Sequence, residues 1–406
     1  MFRDEVDMKS YTLKDACYIT TGKLDANQSI KNGIYPFFTC AEFPDAINTY
    51  AFDCNAVLVA GNNARGNFHV NRYKGKFNAY QRTYVLTSKE NFDIDFIFYS
   101  LKLELKRLKE KSQGSQTKFL TLPILQNIHF SSISINEQKT IAAVLSALDK
   151  KIALNKQINA RLEEMAKTLY DYWFVQFDFP DANGKPYKSS GGDMVFDETL
   201  KREIPKGWEV KSLGTHITIK RGISYKSNEI KDTGIPFINL NSFYLDGKFK
   251  FEGTKFFTGK TKNDDFISSG DLLIAVTDVT RNADIIGKAF ILPDLFNNSP
   301  VMSCDVAKIS SSELNNFYLE RLFNSSSYHE YIKNFASGTL VLHLDIKGIS
   351  WFDTYIPPKI LLDKFEDFCR DIHLRIVETE KQNYRLTQLR DFLLPMLMNG
   401  QVSVAE

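Results

Sequence analysis

The amino-acid sequence predicts an α+β protein in which two α/β domains alternate with two long helices. Three observations predict this class: an internal repeat, two segments of about forty residues with apolar side chains at a 3-4 spacing, and short apolar runs bounded by Gly, Asn and Asp between them. The chain has 406 residues, of which 43% are hydrophobic and 25% charged, so it has enough apolar material for several folded cores.

An internal repeat relates the two halves of the chain. GSQTKFLTL from Gly114 aligns with GTLVLHLDI from Gly338, 224 positions later, and the same offset holds through the segment that follows. Nearer the start of each half the offset is 200, as it is between Gly22 and Gly222. Each half is therefore predicted to be a mixed domain followed by a long helix, with a pseudo-twofold relation between the halves. The alternative is a chance alignment of two apolar patterns.

The predicted domain boundaries follow from this repeat and from local composition. The first α/β domain is placed at 1–135 and the first long helix at 136–176. A Pro- and Gly-containing segment at 177–204 is predicted to be a linker. The second α/β domain is placed at 205–358, and the second long helix with a short C-terminal tail at 359–406.

Each α/β domain is predicted to contain strands and at least one short helix. The strand-like runs are NAVLVAG and RTYVLT in the first domain and GDLLIAVT and GKAFIL in the second. Short helices are expected at 92–111 and 313–335. The prolines of IPPK, Pro357 and Pro358, predict the end of an extended strand just before the second long helix.

Apolar residues at a 3-4 spacing predict how the long helices pack. These helix-pairing residues are Ile141, Leu145, Leu148, Ile152, Leu162 and Leu169 in the first helix and Phe365, Ile372, Ile376, Leu386 and Leu393 in the second. Both series become polar at matching places, Asn155 and Asn159 in one and Thr379 and Asn383 in the other. Because buried polar residues can fix register, we predict that the two helices pair as an antiparallel coiled coil. Separate packing of each helix on its own domain is the alternative.

Cysteine usage and hydropathy exclude several classes of protein. The five cysteines are an odd number without a C-x-x-C pair, which argues against a disulfide framework or a thiolate zinc site. The opening residues MFRDEVDMKSYTL lack the apolar run of a secretory signal, and no stretch approaches the 18 or so apolar residues of a membrane span. We therefore expect a cytoplasmic protein without a membrane partner.

Catalytic motifs are absent from the sequence. GTKFFTGKT from Gly253 has five residues between its glycines where a phosphate-binding loop has four. There is no G-x-S-x-G, no G-x-G-x-x-G and no Asn-Pro-Pro-aromatic tetrad of amino-methyltransferases, and the six histidines lack metal-ligand spacing. We predict no catalytic residue and no metal site in this chain.

Positive charge is concentrated in short stretches, although the formal net charge is only +2. Residues 54–89 contain six basic side chains and no acidic one, interleaved with Asn, Gln and Tyr, and residues 211–228 are also free of acids. Arg and Lys contact phosphates, Arg reads guanine, and Asn or Gln reads adenine, so this composition indicates recognition of DNA base edges. Ordinary solvated surfaces are the alternative.

Twenty-one residues in these stretches and their neighbours are candidate DNA contacts. They are Asn62, Asn63, Arg65, Asn67, Arg72, Lys74, Lys76, Gln81, Arg82, Gln116 and Lys118 in the first domain, and Lys220, Arg221, Lys226, Asn239, Asn241, Lys255, Lys260, Lys262, Arg281 and Asn282 in the second.

The domain, helix, domain, helix order resembles the specificity (S) subunits of type I restriction-modification systems, the HsdS family. The resemblance is carried by GSQTKFLTLPILQNIHF leading into INEQKTIAAVLSALDKKIALNKQINARLEEMAKTLYDYWFVQF, by REIPKGWEVKSLG, and by SGTLVLHLDIKGISWFDTYIPP, and it covers nearly the whole chain. The second helix departs from the pattern, since Leu361 and Leu362 stand where the first helix has Glu137 and Gln138.

This resemblance implies a non-catalytic subunit whose two target recognition domains each read one half of a bipartite, asymmetric site in double-stranded DNA. The long helices would set the spacing of the half-sites and bind methyltransferase (M) subunits, two of them, which restriction/translocase (R) subunits join. S-adenosylmethionine, ATP and Mg are then expected on the partner subunits and not on this chain. A tandem protein-interaction scaffold without DNA binding is the alternative function.

Overall fold

The computed structural model describes residues 10–62, 68–111 and 119–404. The chain divides into two compact units, one of Met1–Asn155 with Gln382–Glu406 and the other of Lys156–Lys381. Each unit therefore contains one mixed domain together with a segment of both long helices. This division differs from the predicted boundaries, which assigned each helix to a region of its own.

A six-stranded sheet forms the centre of the first unit. Its strands and those beside it are β1 (Ser10–Thr12), β2 (Cys17–Thr21), β3 (Tyr35–Phe38), β4 (Asp45–Ile47), β5 (Phe52–Ala60), β6 (Val70–Ala79), β7 (Thr83–Ser88) and β8 (His129–Ser131), and its helices are α1 (Leu13–Ala16), α2 (Ile94–Lys111), α3 (Leu122–Gln126) and the first part of α4 (Ile135–Tyr170). The strand order is β2-β7-β5-β6-β3-β4, and β1 pairs with β8. The last five residues of β5 are all buried because α2 covers one face of the sheet and aromatic residues cover the other.

The second unit contains smaller sheets and more irregular backbone. Its strands are β9 (Met194–Asp197), β10 (Arg202–Pro205), β11 (Glu209–Ser212), β12 (Thr218–Arg221), β13 (Ile230–Lys231), β14 (Ile235–Ile238), β15 (Lys255–Phe257), β16 (Leu272–Ala275), β17 (Thr277–Asp278), β18 (Ala289–Ile291), β19 (Val301–Met302), β20 (Val306–Ser310), β21 (Ala336–Ser337), β22 (Leu342–Leu344) and β23 (Asp353–Ile356), and its helices are α5 (Asn316–Phe323), α6 (Ser326–Ile332), α7 (Lys347–Ser350) and most of α8 (Lys359–Met398). The larger sheets have the orders β12-β20-β16-β18, β13-β15-β14-β19 and β17-β22-β21.

Equivalent hydrogen bonds in the two units confirm both repeat offsets. In the first unit Thr12 pairs with His129, and in the second Ser212 pairs with Asp353. The next residue in each case donates its amide to a carbonyl oxygen at 2.9 Å, Leu13 to Ile128 and Leu213 to Phe352. Thr12 and Ser212 are 200 positions apart, and His129 and Asp353 are 224 positions apart, as the sequence alignment requires.

The long helices form close to their predicted bounds. The helix α4 has 36 residues and continues into a π-helical turn, Asp171–Val175, and α8 has 40 residues. In the first unit the Arg390 guanidinium binds Asp149 at 2.8 Å, and in the second the Phe365 ring packs on that of Tyr170 at 6.1 Å. Contacts further along α4 involve earlier residues of α8, so the two helices run antiparallel within each unit.

The segment predicted to be a linker, 177–204, is folded and packs within the second unit. It contains the β9–β10 hairpin, and the buried Phe177 ring contacts Trp208 at 5.5 Å. The Asp178 carboxylate accepts hydrogen bonds from the amide and hydroxyl of Ser189 at 2.7 and 2.6 Å. The prediction of a linker was wrong because its prolines and glycines mark tight turns in an ordered segment.

Three further observations concern the cysteines, metal binding and membrane spans. All five cysteines are free thiols, and burial raises the pKa of Cys17 and of Cys369 to about 12, which makes these two thiols poor nucleophiles. Within the part of the chain that the structure describes, no group of three or more His, Cys, Asp or Glu is arranged to hold a metal ion. In that same part, no helix combines the length and the apolar character needed to cross a membrane.

Candidate nucleic-acid interface

In the first unit, the ends of two strands meet the segment that follows residue 118. The amide of Gly61 donates to the Arg82 carbonyl at 2.8 Å, and the amide of Leu120 donates to the Gly61 carbonyl at 2.9 Å. Asn62 and Phe119 form a further β-bridge. The Arg82 guanidinium lies 5.9 Å from the centre of the Phe119 ring, which is 53% exposed. Two predicted DNA contacts, Asn62 and Arg82, thus lie at one edge of the sheet.

One further predicted contact, Gln81, lies next to Arg82 at this edge. The exposed Gln81 precedes Arg82, and its Nε2 donates to Asp25 at 2.7 Å. Five more of the eleven, Asn63, Arg65, Asn67, Gln116 and Lys118, lie outside the described residues.

The lysines of the acid-free stretch lie elsewhere on the sheet. Lys74 and Lys76 are exposed on β6, and their partners on β5 are Asn55 and Asp53, near the opposite end of that strand from Asn62. Asp53 brings a negative charge next to Lys76. The stretch without acids in the sequence is therefore not a single basic surface in the fold.

Arg72 is bound within the first unit by an ion pair and two hydrogen bonds. Its Nε binds Asp95 at 2.7 Å, and its NH1 donates to the carbonyls of Ala56 and Tyr73 at 3.1 Å. The side chain is 19% exposed. These bonds tie β6 to α2, so the structure assigns Arg72 to the packing of the helix on the sheet.

In the second unit an equivalent arrangement forms where β17 pairs with β22. Thr277 lies opposite His343, as Asn62 lies opposite Phe119 in the first unit. The Leu344 amide donates to the Val276 carbonyl at 2.9 Å, which matches the bond from Leu120 to Gly61. The same backbone framework therefore occurs twice, with different side chains on it.

We call the exposed residues around this pairing the strand-end surface. It consists of Arg221, Tyr225, Arg281, Asn282 and His343. Arg221 ends β12, and the Tyr225 ring packs edge-on against the buried Phe237 at 4.9 Å. Partial burial raises the pKa of Tyr225, so its hydroxyl stays protonated and can donate a hydrogen bond at neutral pH. Three of the five, Arg221, Arg281 and Asn282, were predicted from the sequence.

Asp278, which the sequence analysis did not single out, shapes the loop that carries Arg281 and Asn282. Its carboxylate is fully buried and accepts hydrogen bonds from the amides of Thr280 at 2.6 Å, Ile285 at 2.6 Å and Ile286 at 3.1 Å. A carboxylate that binds several amides of one loop fixes the loop's conformation. The available signal was an acidic residue directly after the buried strand GDLLIAVT.

Asn239 and Asn241 occupy one short turn in the second unit. Asn239 is 7% exposed, and its side-chain oxygen accepts the Asn241 amide at 2.8 Å. The prediction that Asn239 contacts DNA is thus corrected to a capping role inside the fold, since its side chain does not reach the surface. Asn241 itself is exposed.

The predicted lysines of the second domain are exposed but are distributed over several loops and strands. Lys220 lies on β12 and donates to the Asp264 carbonyl, Lys226 begins a short turn, and Lys255 lies on β15. Lys260 and Lys262 follow in the next loop. Their side chains can supply phosphate contacts without selecting a base.

The predicted helix-pairing residues are all buried or half-buried. At the polar positions, Asn155 Nδ2 donates to Gln382 at 2.7 Å and to Asn383 at 2.9 Å in the first unit. In the second, Asn159 Nδ2 donates to Glu380 at 2.5 Å and its Oδ1 accepts from the Thr379 hydroxyl. The repeat offset of 224 relates Asn155 to Thr379 and Asn159 to Asn383. The hydrogen-bonded pair Asn155 with Asn383 is therefore the repeat equivalent of the pair Asn159 with Thr379.

Gln138 fastens the start of α4 to the first domain, a role the sequence analysis did not assign. It is 2% exposed, its Oε1 accepts the Asp93 amide at 2.9 Å, and its Nε2 donates to the carbonyls of Asn91 and Ile133 at 3.4 and 3.1 Å. At the equivalent position α8 has Leu362, which is buried in an apolar core. The difference between the two helix starts thus reflects a polar anchor in one domain and an apolar one in the other.

Comparison with known proteins identifies relatives of this chain. Residues 5–164 match the family model for the type I restriction modification DNA specificity domain. The EcoDI type I restriction enzyme specificity subunit of Escherichia coli is 40% identical over 202 residues, which are 49% of this chain and 44% of that protein. The MjaIX specificity subunit of Methanocaldococcus jannaschii is 27% identical over 322 residues, 78% of this chain and 71% of the relative.

A solved structure has the same fold. The crystal structure of the S subunit of a type I restriction-modification system from M. genitalium superposes with a TM-score of 0.62 at 16% identity, covering 98% of this chain and 97% of that one. The alignment to the E. coli relative spans less than half of its length, and the match to the family model ends within α4. Sequence, repeat and fold thus make this chain similar to the specificity subunits of type I restriction-modification systems, and residues 5–164 match the model of their DNA specificity domain.

Proposed function

We propose that this chain is the DNA sequence-recognition subunit of a type I restriction-modification complex and that it is non-catalytic. The observation that carries the proposal is the backbone framework at the strand ends, which occurs once in each unit with different side chains on it. Asn62 and Arg82 stand on one copy, and Thr277, His343 and the Asp278 loop stand on the other. Each domain then reads one half of a bipartite, asymmetric site in double-stranded DNA.

The exposed side chains on these frameworks suit the two tasks of a DNA reader. Arginine and asparagine, as in Arg281 and Asn282, can form paired hydrogen bonds to guanine and adenine in the major groove. The surrounding lysines neutralise phosphates and hold the domain in register on the duplex. Because the Asp278 carboxylate fixes its loop beforehand, binding costs less ordering entropy than it would for a mobile loop.

The long helices are proposed to act as an antiparallel coiled coil that sets the spacing between the two half-sites. At about 1.5 Å per residue, α4 is about 54 Å long and α8 about 60 Å. These lengths exceed the roughly 34 to 36 Å that separate half-sites one DNA turn apart. Corresponding polar pairs in the two units, Asn155 with Asn383 and Asn159 with Thr379, support a fixed register between the helices.

The chemistry of modification and cleavage is proposed to belong to partner subunits. Two M subunits would bind along the helices, and R subunits would join them to complete the restriction complex. S-adenosylmethionine would bind to M, and ATP and Mg to R. A base must leave the duplex before it is methylated, and that step would occur in the M active site. The cytoplasmic location stays a prediction.

Coexpression with an M subunit followed by DNA binding over a salt series tests the proposal. The complex should bind duplex DNA with an affinity that falls linearly on a log-log plot against salt, because bound lysines and arginines release counterions. Methylome mapping with and without this chain should then reveal one asymmetric, interrupted site. Absence of salt-dependent binding would contradict DNA recognition and favour a protein-interaction scaffold.

Changing the length of both helices tests the spacing role. Inserting or deleting matching whole turns in α4 and α8 should change the number of unread base pairs between the half-sites while both half-sites stay the same. Methylome mapping of each variant measures this gap. An unchanged gap in a folded, active complex would contradict the spacing role and leave the recognition role intact.

A further inference from the structure

Three exposed apolar residues lie close to one another along the backbone beside the strand-end surface of the second unit. Val279 is 63% exposed, Leu340 88% and Val341 39%. Among the large apolar residues in the described part of the chain, Leu340 has the highest exposure. We call these three residues the apolar tip. Apolar residues that are exposed next to one another, unlike single scattered ones, commonly mark a contact with another molecule.

Backbone pairing brings the members of the apolar tip together. Asp278 on β17 lies opposite Leu342 on β22, so Val279 and Val341 extend the same pair of strands by one residue. Leu340 lies in the turn between β21 and β22, where Ser337 pairs with His343. The apolar tip is thus formed by the ends of two adjoining strands and one tight turn.

The apolar tip is held in a fixed conformation from both sides. Gly338 has a φ of 139°, and a Cβ atom there would lie 2.0 Å from the Val341 carbonyl oxygen, so glycine is required for the turn. On the other side, Asp278 binds the amides of the loop that follows Val279. A rigid apolar projection can contact a partner without losing much conformational entropy.

The surroundings of the apolar tip favour DNA as its partner. Arg281 and Asn282 are exposed just after Val279, and the exposed His343 follows two residues after Val341. These groups provide one formal positive charge and several hydrogen-bond donors around an apolar centre. A DNA base pair offers this combination of partners in the major groove only where it contains thymine, whose 5-methyl group is apolar.

The repeat gives an independent indication of a reading role. The 224-residue offset aligns Leu340 with Gln116 and Val341 with Thr117, and Gln116 is a predicted DNA contact of the first domain. A glutamine amide is suited to adenine, whereas an aliphatic side chain is suited to the thymine methyl group. The difference fits two domains that read unlike half-sites through the same framework.

We infer that the apolar tip selects a thymine in the half-site of the second domain by contacting its 5-methyl group. The inference rests on the proposed function, since it names a specificity contact of that recognition surface. Leu340 provides the main contact, and Val279 and Val341 enclose the methyl group from the side. Burial of one methyl group predicts about a fourfold contribution to affinity, the equivalent of about 0.8 kcal/mol.

The test uses the complex with M subunits and synthetic duplexes that contain the site mapped by methylome sequencing. Each thymine of the second half-site is replaced in turn by deoxyuridine, which keeps base pairing and removes only the methyl group. One such replacement should weaken binding by the wild-type complex about fourfold. In the Leu340→Ala complex, binding to the unmodified site should be at least fourfold weaker, and the same replacement should have no further effect. Leu245→Ala, at a residue that is 62% exposed elsewhere in the unit, is the matched control and should behave as wild type.

Several results would overturn the inference. They are a mapped half-site without thymine, a deoxyuridine series without effect on the wild type, and an equal loss of affinity for all DNA sequences in Leu340→Ala. The last result would indicate a contact that does not depend on sequence. A complex that shows no salt-dependent binding to any duplex would instead overturn the proposed function, and the inference with it.

Discussion

Replacing Asp278 by asparagine should loosen the loop that carries Arg281 and Asn282 without unfolding the domain. The wild-type carboxylate uses one oxygen for the Thr280 amide and the other for the amides of Ile285 and Ile286. In Asp278→Asn one of these oxygens becomes an NH₂ group. The variant thus keeps the shape of the side chain and removes both the charge and one acceptor.

The size of the effect follows from these three bonds. If the side-chain oxygen of the variant accepts the amides of Ile285 and Ile286, its NH₂ group lies against the Thr280 amide. Two hydrogen-bond donors then face each other. An unpaired buried donor costs about 1–3 kcal/mol, and bonds to a charged acceptor are roughly twice as strong as neutral ones. We expect the free energy of opening the loop to fall by about 3 kcal/mol, which is about a hundredfold in the opening equilibrium.

Hydrogen exchange measured by mass spectrometry provides the assay. Peptides covering 279–287 should exchange about a hundredfold faster in Asp278→Asn, whereas peptides from β12 should exchange at the wild-type rate. The affinity for the second half-site should also fall, because the loop must be ordered again on binding. Asp345→Asn is the matched control, since Asp345 is exposed and accepts the Lys347 amide at 3.0 Å. Unchanged exchange in a folded Asp278→Asn protein would refute the anchoring role.

Four other changes have defined outcomes. If Arg281 contacts a phosphate, Arg281→Ala should reduce the slope of log affinity against log salt concentration by about 1. If Arg281 contacts a base, the slope should stay unchanged and the preference at one base should be relaxed. Asn155→Leu alone should lower the free energy of unfolding, measured in urea, by about 1–3 kcal/mol, because it leaves the buried Asn383 side chain without its hydrogen-bond donor. The double variant that also carries Asn383→Leu should restore or exceed wild-type stability. Burial raises the pKa of Glu320 above its ordinary value of 4.5, so the folded protein binds this proton more tightly than the unfolded chain does. Stability should therefore fall as pH rises from the ordinary value through the folded-state pKa, and Glu320→Gln should remove that fall in thermal unfolding at a series of pH values. Leu340→Gln, which copies the first domain, should shift the preference at one base from thymine towards adenine in competition binding, and an unchanged preference would contradict the reading role.

The parts of the fold that the sequence predicted well are those governed by local periodicity. The spacing of apolar residues over about ten helical turns specifies α4 and α8 almost to the residue, because each turn repeats the same requirement. The strands predicted from GDLLIAVT and RTYVLT also form, because short apolar runs bounded by turn residues suit buried strands. The segment at 177–204 was not predicted, because its order depends on the contact of Phe177 with Trp208, which no local pattern reveals.

The candidate site was only partly predictable because sequence shows which residues carry charge but not which neighbours the fold gives them. Arg72 meets Asp95 across 23 positions, and Lys76 lies opposite Asp53, just outside the stretch that has no acids. Asn239 has the right chemistry for a base contact but turns its side chain into the fold. The apolar tip was missed for the opposite reason, since Leu340 and Val341 look like core residues until their exposure is known.

The two backbone frameworks at the strand ends do not depend on the identity of the exposed side chains beside them. The bonds that repeat between the units, from Leu120 to Gly61 and from Leu344 to Val276, join backbone atoms and place no demand on the exposed side chains beside them. Under the proposed function, substitution at those exposed positions would change the DNA sequence that is read while the framework stays the same. The repeat places Gln at 116 and Leu at 340 in equivalent positions of the sequence. If the proposed function holds, a difference of this kind would let a duplicated domain read two unlike half-sites.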